Sequence, residues 1–268
     1  MSANANLTAE QQHEAAARIL QGRRTGQVMD DLPAQYKPRT LEDALAIRDL
    51  VFEGLNDAPA GWFVGCSNPA IQQQLGLPEP YCARLGASTV HPSPATLPAR
   101  RFPSITLEVE FAFTLGQALP PRPEPYSKDE VAAAIALVHP AIEVVTSHFA
   151  DWTHQSIYNI IADNGTDGAL VFGEGKPLAD ISPLSGIQTA VSVNGVIGAN
   201  GSGADVLGDP LNVMVWLANR CREDGIGLEA GKIHNTGSTT AMVPAHPGDT
   251  CRAVFEGLGD VEITFKPG

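Results

Sequence analysis

The sequence predicts an α+β protein in which helices come first and a β-rich body follows. Three observations carry this expectation. Apolar residues recur at helical spacing through roughly the first 55 residues. From Gly61 onward, short apolar runs alternate with Gly- and Pro-rich turns, which is the texture of strands. The run Leu107-Glu108-Val109-Glu110-Phe111-Ala112-Phe113 alternates apolar residues with carboxylates at the two-residue period of a strand. The expected division is a helical region, residues 1–60, and a β-rich body, residues 61–268, within one integrated domain.

Each element has its own signal. Thr8 can cap a first helix, with Gln11 in the capping-box position and Ala15, Ala16, Ile19 and Leu20 at helical spacing; Gly22 is expected to end it. Thr40 caps a second helix whose stripe is Leu41, Ala44, Leu45, Ile47, Leu50 and Val51. Gly61 to Gly65 reads as a short apolar strand between glycines, and Pro69 to Leu75 as a short helix. Prolines from Pro78 to Pro103 punctuate the approach to the Glu108 strand, and Pro120 to Pro125 forms a turn-rich interruption. Ser127, with Glu130 three residues on, caps a helix expected to reach Val138. Ala141 to Val145 is a second apolar run, with Glu143 inside it. Asn194-Gly195 centres a hairpin within Val191 to Ile197. Gly198 to Gly208 reads as a strand-to-helix connection, because its glycine spacing is wrong for a phosphate loop and no Lys-Ser/Thr pair follows. A helix over Pro210 to Arg222 and strands near Cys251–Phe255 and Val261–Phe265 complete the chain.

Composition narrows the function. With 43% apolar and 18% charged residues, the chain of 268 residues is globular. A net charge of −13 argues against nucleic acid or an anionic membrane as partner, so an anionic substrate needs a local cation. No apolar run approaches the ~20 residues that span a bilayer. The start Met1 to Asn6 lacks the basic and apolar regions of a signal peptide. Cys66, Cys82, Cys221 and Cys251 are scattered, without a Cys-x-x-Cys pair, so reduced thiols in a cytoplasmic protein are expected and a zinc site is not.

On a strand, Glu108 and Glu110 project from one face while Leu107, Val109, Phe111 and Phe113 pack on the other. Like charges this close repel unless a cation or a proton compensates them. With Glu143 as a third carboxylate, they make an oxygen-ligand site for Mg²⁺ or Mn²⁺, since hard divalent ions prefer such ligands. The alternative is an exposed strand edge with solvated glutamates.

Several segments together resemble a known family. Leu107 to Phe113, His139-Pro-Ala-Ile-Glu-Val-Val145, Asp151-Trp152 and Ile161-Ala-Asp-Asn-Gly165 resemble the 2-hydroxypenta-2,4-dienoate hydratase and 4-oxalocrotonate decarboxylase group of the fumarylacetoacetate hydrolase superfamily. Ile71 to Pro80, Gly231 to Thr239 and the ending Gly248 to Asp260 fit as well, so the similarity covers nearly the whole chain in order. The resemblance implies a mixed β-sheet roll holding one Mg²⁺ or Mn²⁺ through Glu108, Glu110 and Glu143. It also implies a metal that chelates the carboxylate and 2-oxo or 2-enol oxygens of a short unsaturated acid and stabilises its enolate.

The departure from the family is at Phe63. The family pattern is Gly-x-Lys-x-Gly; here Gly61-Trp62-Phe63-Val64-Gly65 keeps both glycines and loses the lysine that reaches the substrate. An aromatic cannot pair with a carboxylate or carry a proton, so Phe63 at a pocket wall favours an apolar substrate end; its plain alternative is a core aromatic. Tyr81 stands where the hydratases commonly have an acidic residue, and Thr166 where they commonly have serine. Substitute acids or bases are His148, His234 and Glu79; His234 lies beside the substrate-facing turn that contains Ser238, and Glu79 lies in a segment that family members close over the pocket.

The expectation is a metal-dependent lyase, a hydratase or decarboxylase, acting on a small 2-oxo or 2-hydroxydienoic acid. The alternatives are a C–C bond hydrolase of a β-diketone-like acid, which needs a His-Glu pair, and a non-catalytic partner of a related hydratase. Family members are usually homo-oligomers, so self-association is expected too.

Overall fold

The N-terminal helices begin where their capping residues stand. In the computed structural model, which describes residues 6–181 and 183–268, Thr8 caps α1 (Ala9–Thr25) through a reciprocal box with Gln11. Contrary to expectation, α1 runs past Gly22, and Gly26 at φ 72° is its left-handed C-cap. Gly22 is instead a packing glycine, since a Cβ there would lie 3.3 Å from His148 Cβ. Thr40 caps α2 (Leu41–Leu55). The polar start Met1–Ala5 lies outside the described residues.

The β-rich body follows in the order β1 (Pro59–Gly65), α3 (Pro69–Leu75), β2 (Tyr81–Gly86), β3 (Val90–Pro92), β4 (Ala95–Pro98) and β5 (Thr106–Leu115). Next come α4 (Lys128–Ala134), β6 (Ile135–Val145), α5 (Ile157–Ala162), β7 (Asp167–Phe172), β8 (Gln188–Val193) and β9 (Val196–Ser202). The chain ends with α6 (Pro210–Glu223), β10 (Ile233–Asn235), β11 (Val243–Pro244), β12 (Thr250–Phe255) and β13 (Gly259–Lys266). The larger sheet runs β2-β1-β10-β5-β6-β7-β3, with β11 paired to β5, and the smaller runs β4-β13-β12-β8-β9. Both sheets mix directions: β1 is parallel to β10 but antiparallel to β2, and β13 is parallel to β4 but antiparallel to β12. The expected mixed-sheet α+β architecture is therefore present.

Two sequence boundaries move. The helix expected to reach Val138 stops at Ala134, and Ile135 to Val138 instead pair with Leu115 to Phe113 of β5. Ladder formation by these residues overrides a helical pattern that the alanines before them extend by inertia. The stretch from Gly198 to Gly208 is half strand, since β9 continues to Ser202 before a short turn leads to α6.

Packing decides which face of the larger sheet carries chemistry. Val109, Phe111 and Phe113 are fully buried against the smaller sheet, where Phe111 meets Phe255 edge-on at 5.1 Å between ring centroids. The glutamate face of β5 therefore points the other way, toward the helices. There Ala44 of α2 and Ile161 of α5 pack with Ala112, Ala141 and Leu170 of the sheet. β5 is an interior strand between β10 and β6, which removes the exposed-edge alternative for its glutamates. All four cysteines are unpaired, and among the described residues no helix is long and apolar enough to cross a membrane.

Candidate metal centre

The β5–β6 ladder builds the centre. Its register sets Glu108 directly opposite Glu143, and the strand period places Glu110 on the same face as Glu108. Carboxylate oxygens of all three lie within 4.8 Å of one another. Glu110 and Glu143 are buried, at 1% and 3% exposure, and Glu108 is partly buried.

The neighbouring strand completes the geometry. Asn235, at the end of β10, donates from Nδ2 to Glu110 Oε2 at 2.7 Å and to Glu143 Oε2 at 2.8 Å. The Gly237 amide donates to the same Glu110 oxygen at 2.8 Å. One oxygen of each of these two glutamates is thus fixed by the protein, leaving the other for a ligand. Gly237 stands at φ 87°, and a Cβ there would fall 2.2 Å from Ser67 Oγ, so a side chain would close the cradle.

Burial pushes Glu108 up to about 7, and burial together with the charge of Glu108 pushes Glu110 up to about 8. Glu143 is raised well above the usual carboxylate range, by burial first and then by Glu110 and Glu108. Three crowded carboxylates, with no cationic side chain among the described residues of the cavity lining, form an oxygen-only donor set that suits a hard divalent ion. The residues present fit such an ion. Ser67 Oγ, buried in the same cavity wall without a partner, marks a further polar contact in wait for a ligand.

These raised values predict how the metal-free protein responds to pH. A carboxyl whose folded pKa lies above its unfolded value holds more protons when folded, so its contribution to stability is lost as pH rises through 7 to 8. Buried His148 and His234, held down to about 4 and about 3, act in the opposite sense but only below their ordinary 6.5. Urea unfolding in EDTA should therefore show a loss of about 1 to 3 kcal/mol between pH 6.5 and 8.5, reversed by Mg²⁺ and flattened in Glu110→Gln. A flat wild-type profile would contradict the burial argument.

The carboxylates form part of the wall of a cavity of about 610 Å³. Phe63 and Tyr81 line it and meet edge-on at 6.4 Å between centroids. Thr166 and Ser238 line it as well. Gly165 packs against Phe63 so closely that a Cβ would lie 2.4 Å from the Phe63 Cζ. Asn164, Gly165 and Thr166 are consecutive left-handed residues at φ 46°, 66° and 65°. Arg23 of α1 anchors both ends of this turn, its Nε 2.6 Å from Asp163 Oδ1 and its terminal nitrogen 3.0 Å from Asp167 Oδ1.

The three candidate acids and bases stand elsewhere. His148 opens on a separate hollow of about 410 Å³ beside Arg23 and Asp167, and burial keeps it neutral. His234 alternates with Asn235 along β10, so it faces away from the carboxylates, and its Nδ1 accepts from the Trp62 amide at 3.1 Å. Glu79 accepts from Trp216 Nε1 of α6 at 2.9 Å, outside the cavity lining. Conversely, Asn235, Ser67 and the Arg23 anchor carry no role in the sequence reading. Strand alternation across Ile233-His234-Asn235 was the available signal for Asn235.

Residues 59–266 match the Fumarylacetoacetate (FAA) hydrolase C-terminal family. A 2-keto-4-pentenoate hydratase of Paraburkholderia xenovorans is 31% identical over 267 residues, covering 97% of each chain. A 2-oxo-hept-4-ene-1,7-dioate hydratase of Escherichia coli is 31% identical, over 93% of this chain and 96% of its own. The solved 4-oxalocrotonate decarboxylase of Pseudomonas putida G7, complexed with magnesium and adipate, superposes with a TM-score of 0.89 at 26% identity, over 98% of this chain and all of the other. By this match over most of its length, and by relatives that align with it from end to end, the chain belongs to the fumarylacetoacetate hydrolase family.

Proposed function

We propose that the chain is a divalent-metal-dependent lyase, a hydratase or decarboxylase, acting on a small 2-oxo or 2-hydroxydienoic acid. The observation that carries this reading is the carboxylate trio on paired strands β5 and β6, in the wall of a cavity whose remaining lining is mostly apolar, hydroxylic or amide. Glu108, Glu110 and Glu143 would hold Mg²⁺ or Mn²⁺. When bound, the ion supplies a Lewis acid for the adjacent carboxylate and 2-oxo oxygens of the acid, favouring its enolate form.

The chain's own residues do the rest. Asn235 and the Gly237 amide hold Glu110 and Glu143 in place, so the site is pre-organised. Ser67 Oγ, unpartnered in the cavity wall, offers a hydroxyl to the polar head of the substrate, while Ser238 Oγ is held in place by donating to the Thr240 carbonyl at 3.0 Å. Tyr81 remains a neutral phenol, its acidity suppressed first by burial and then by Cys66 and the three glutamates, so its O–H can donate to substrate oxygen. Phe63, Ile157 and Ile160 exclude water from the remaining walls. The hydrolytic alternative has less support, because no histidine lines the cavity among the described residues.

The test is a spectrophotometric assay of 2-hydroxypenta-2,4-dienoate, 2-hydroxyhexa-2,4-dienoate and 4-oxalocrotonate, with Mg²⁺ and after chelation. We expect at least one to be consumed, and EDTA to lower the rate by about a hundredfold or more. Turnover indifferent to chelation, or no consumption of any of the three acids under any metal condition, would contradict the reading.

A further inference from the structure

The cavity wall carries more information than its carboxylates. The charged side chains among the described lining residues are Glu108, Glu110, Glu143 and Asp205, all acidic; none is Lys, Arg or His. A bound divalent cation would be taken up by the three clustered glutamates, and no cationic side chain among the described lining residues is left for a second substrate carboxylate. Arg23, the cation anchoring the turn that lines the cavity, lies outside the lining, bound by Asp163 and Asp167 on the far side of residues 164–166. It is not available to a substrate.

Away from the carboxylates the lining combines neutral amides, Asn68, Gln74, Gln155 and Asn200, with an apolar patch. Phe63 and Ile160 are buried at 2% and 8% exposure, and Trp152 and Ile157 are partly covered. The apolar character continues to the mouth, where Ile71, Leu75 and Met242 stand 43%, 38% and 45% exposed. A cavity of about 610 Å³ lies within the range of roughly 300–1,000 Å³ that holds ligands much larger than a five-carbon acid.

A substrate carboxylate away from the metal would thus lose part of its hydration against Phe63 and Ile160 and meet no cationic side chain among the described lining residues. An alkyl or aryl tail would instead gain by burial on the same walls. The relatives include one named for a five-carbon monoacid and one named for a seven-carbon diacid; this lining suits the first kind of charge with a larger tail. We propose that the substrate is a 2-oxo monocarboxylic acid with an uncharged, apolar tail extending beyond five carbons, and that Phe63 sets this preference. The proposal rests on the reading of the carboxylate trio as the metal site that binds the acid's polar head.

Calorimetric titration of the Mg²⁺-loaded protein tests it with three probes. Oxalate carries the head alone, 2-oxo-4-phenylbutanoate adds an apolar tail, and 2-oxoadipate adds a charged one. We expect oxalate to bind, and the phenyl acid to bind at least tenfold more tightly than 2-oxoadipate. Phe63→Lys should narrow or invert that ratio by at least tenfold, while Phe63→Leu should preserve it. Equal affinity of the native protein for the two tailed acids overturns the proposal while leaving the metal-site reading intact, and this comparison needs no variant to fold. A folded Phe63→Lys protein with an unchanged ratio overturns the role given to Phe63. Failure of oxalate to bind the Mg²⁺-loaded protein overturns the metal-site reading and the proposal with it.

Discussion

Glu110→Ala and Glu143→Ala are each expected to lower Mg²⁺-dependent turnover by about a thousandfold or more, with Glu108→Ala close behind. Removing a Lewis acid costs several kcal/mol of transition-state stabilisation, and each 1.36 kcal/mol is tenfold in rate. The fold should survive, because the apolar face of β5 is untouched and packs against the smaller sheet. Without metal, the variants should be as stable as the native protein or more so, since each deletion removes a buried acid crowded by two others. What they should lose is the stabilisation by Mg²⁺, which for the native chain reaches about 2.7 kcal/mol at a hundredfold excess over Kd. Thermal melts with and without metal, run beside the rate assay, check both halves. A variant that keeps full activity and full metal-induced stabilisation would show that the centre lies elsewhere.

The second large effect concerns Arg23. Its guanidinium is 9% exposed and lies between Asp163 and Asp167, both buried. It also donates to the Asp163 carbonyl, so it holds backbone as well as charge. Burial raises both aspartates and Arg23 pulls them back toward the ionised form. Arg23→Met strands two buried carboxylates, and breaking such a pair costs about 3–5 kcal/mol. The left-handed turn at Asn164 to Thr166 then loses its anchor, and with it the wall that Gly165 and Thr166 give the cavity. The expected result is a large drop in urea midpoint and a raised KM for any acid bound there. Adding Asp163→Asn and Asp167→Asn should recover part of the stability but not the KM. A variant within about 0.5 kcal/mol of native would mean that the aspartates are satisfied by other partners.

Much of this was legible because local rules and tertiary demands agreed. Glu108, Glu110 and Glu143 could be read from the sequence since a strand period fixes which side chains share a face, and the two runs that carry them are the paired strands β5 and β6. The caps Thr8, Thr40 and Ser127 were legible for the same reason: a side-chain oxygen beside an apolar periodic run has a local job. The strand at Ile135 was not, because only β5 across the ladder turns a helical pattern into an extended one. The acid–base residues were misplaced because a histidine's chemistry is visible in sequence but its facing is not: one position along β10 separates His234, turned away, from Asn235, on the carboxylates. The Arg23 anchor joins residues 140 apart, beyond the reach of any local pattern.

Glu108, Glu110 and Glu143 are proposed to hold a divalent cation. Crystals grown with Mn²⁺ and measured for anomalous scattering test it most directly. One strong peak is expected, bounded by carboxylate oxygens of these three residues, next to Asn235 and Gly237 and open to the cavity lined by Phe63 and Tyr81. A saturating Mn²⁺ soak that leaves this position empty, or places the ion on other ligands, would contradict it.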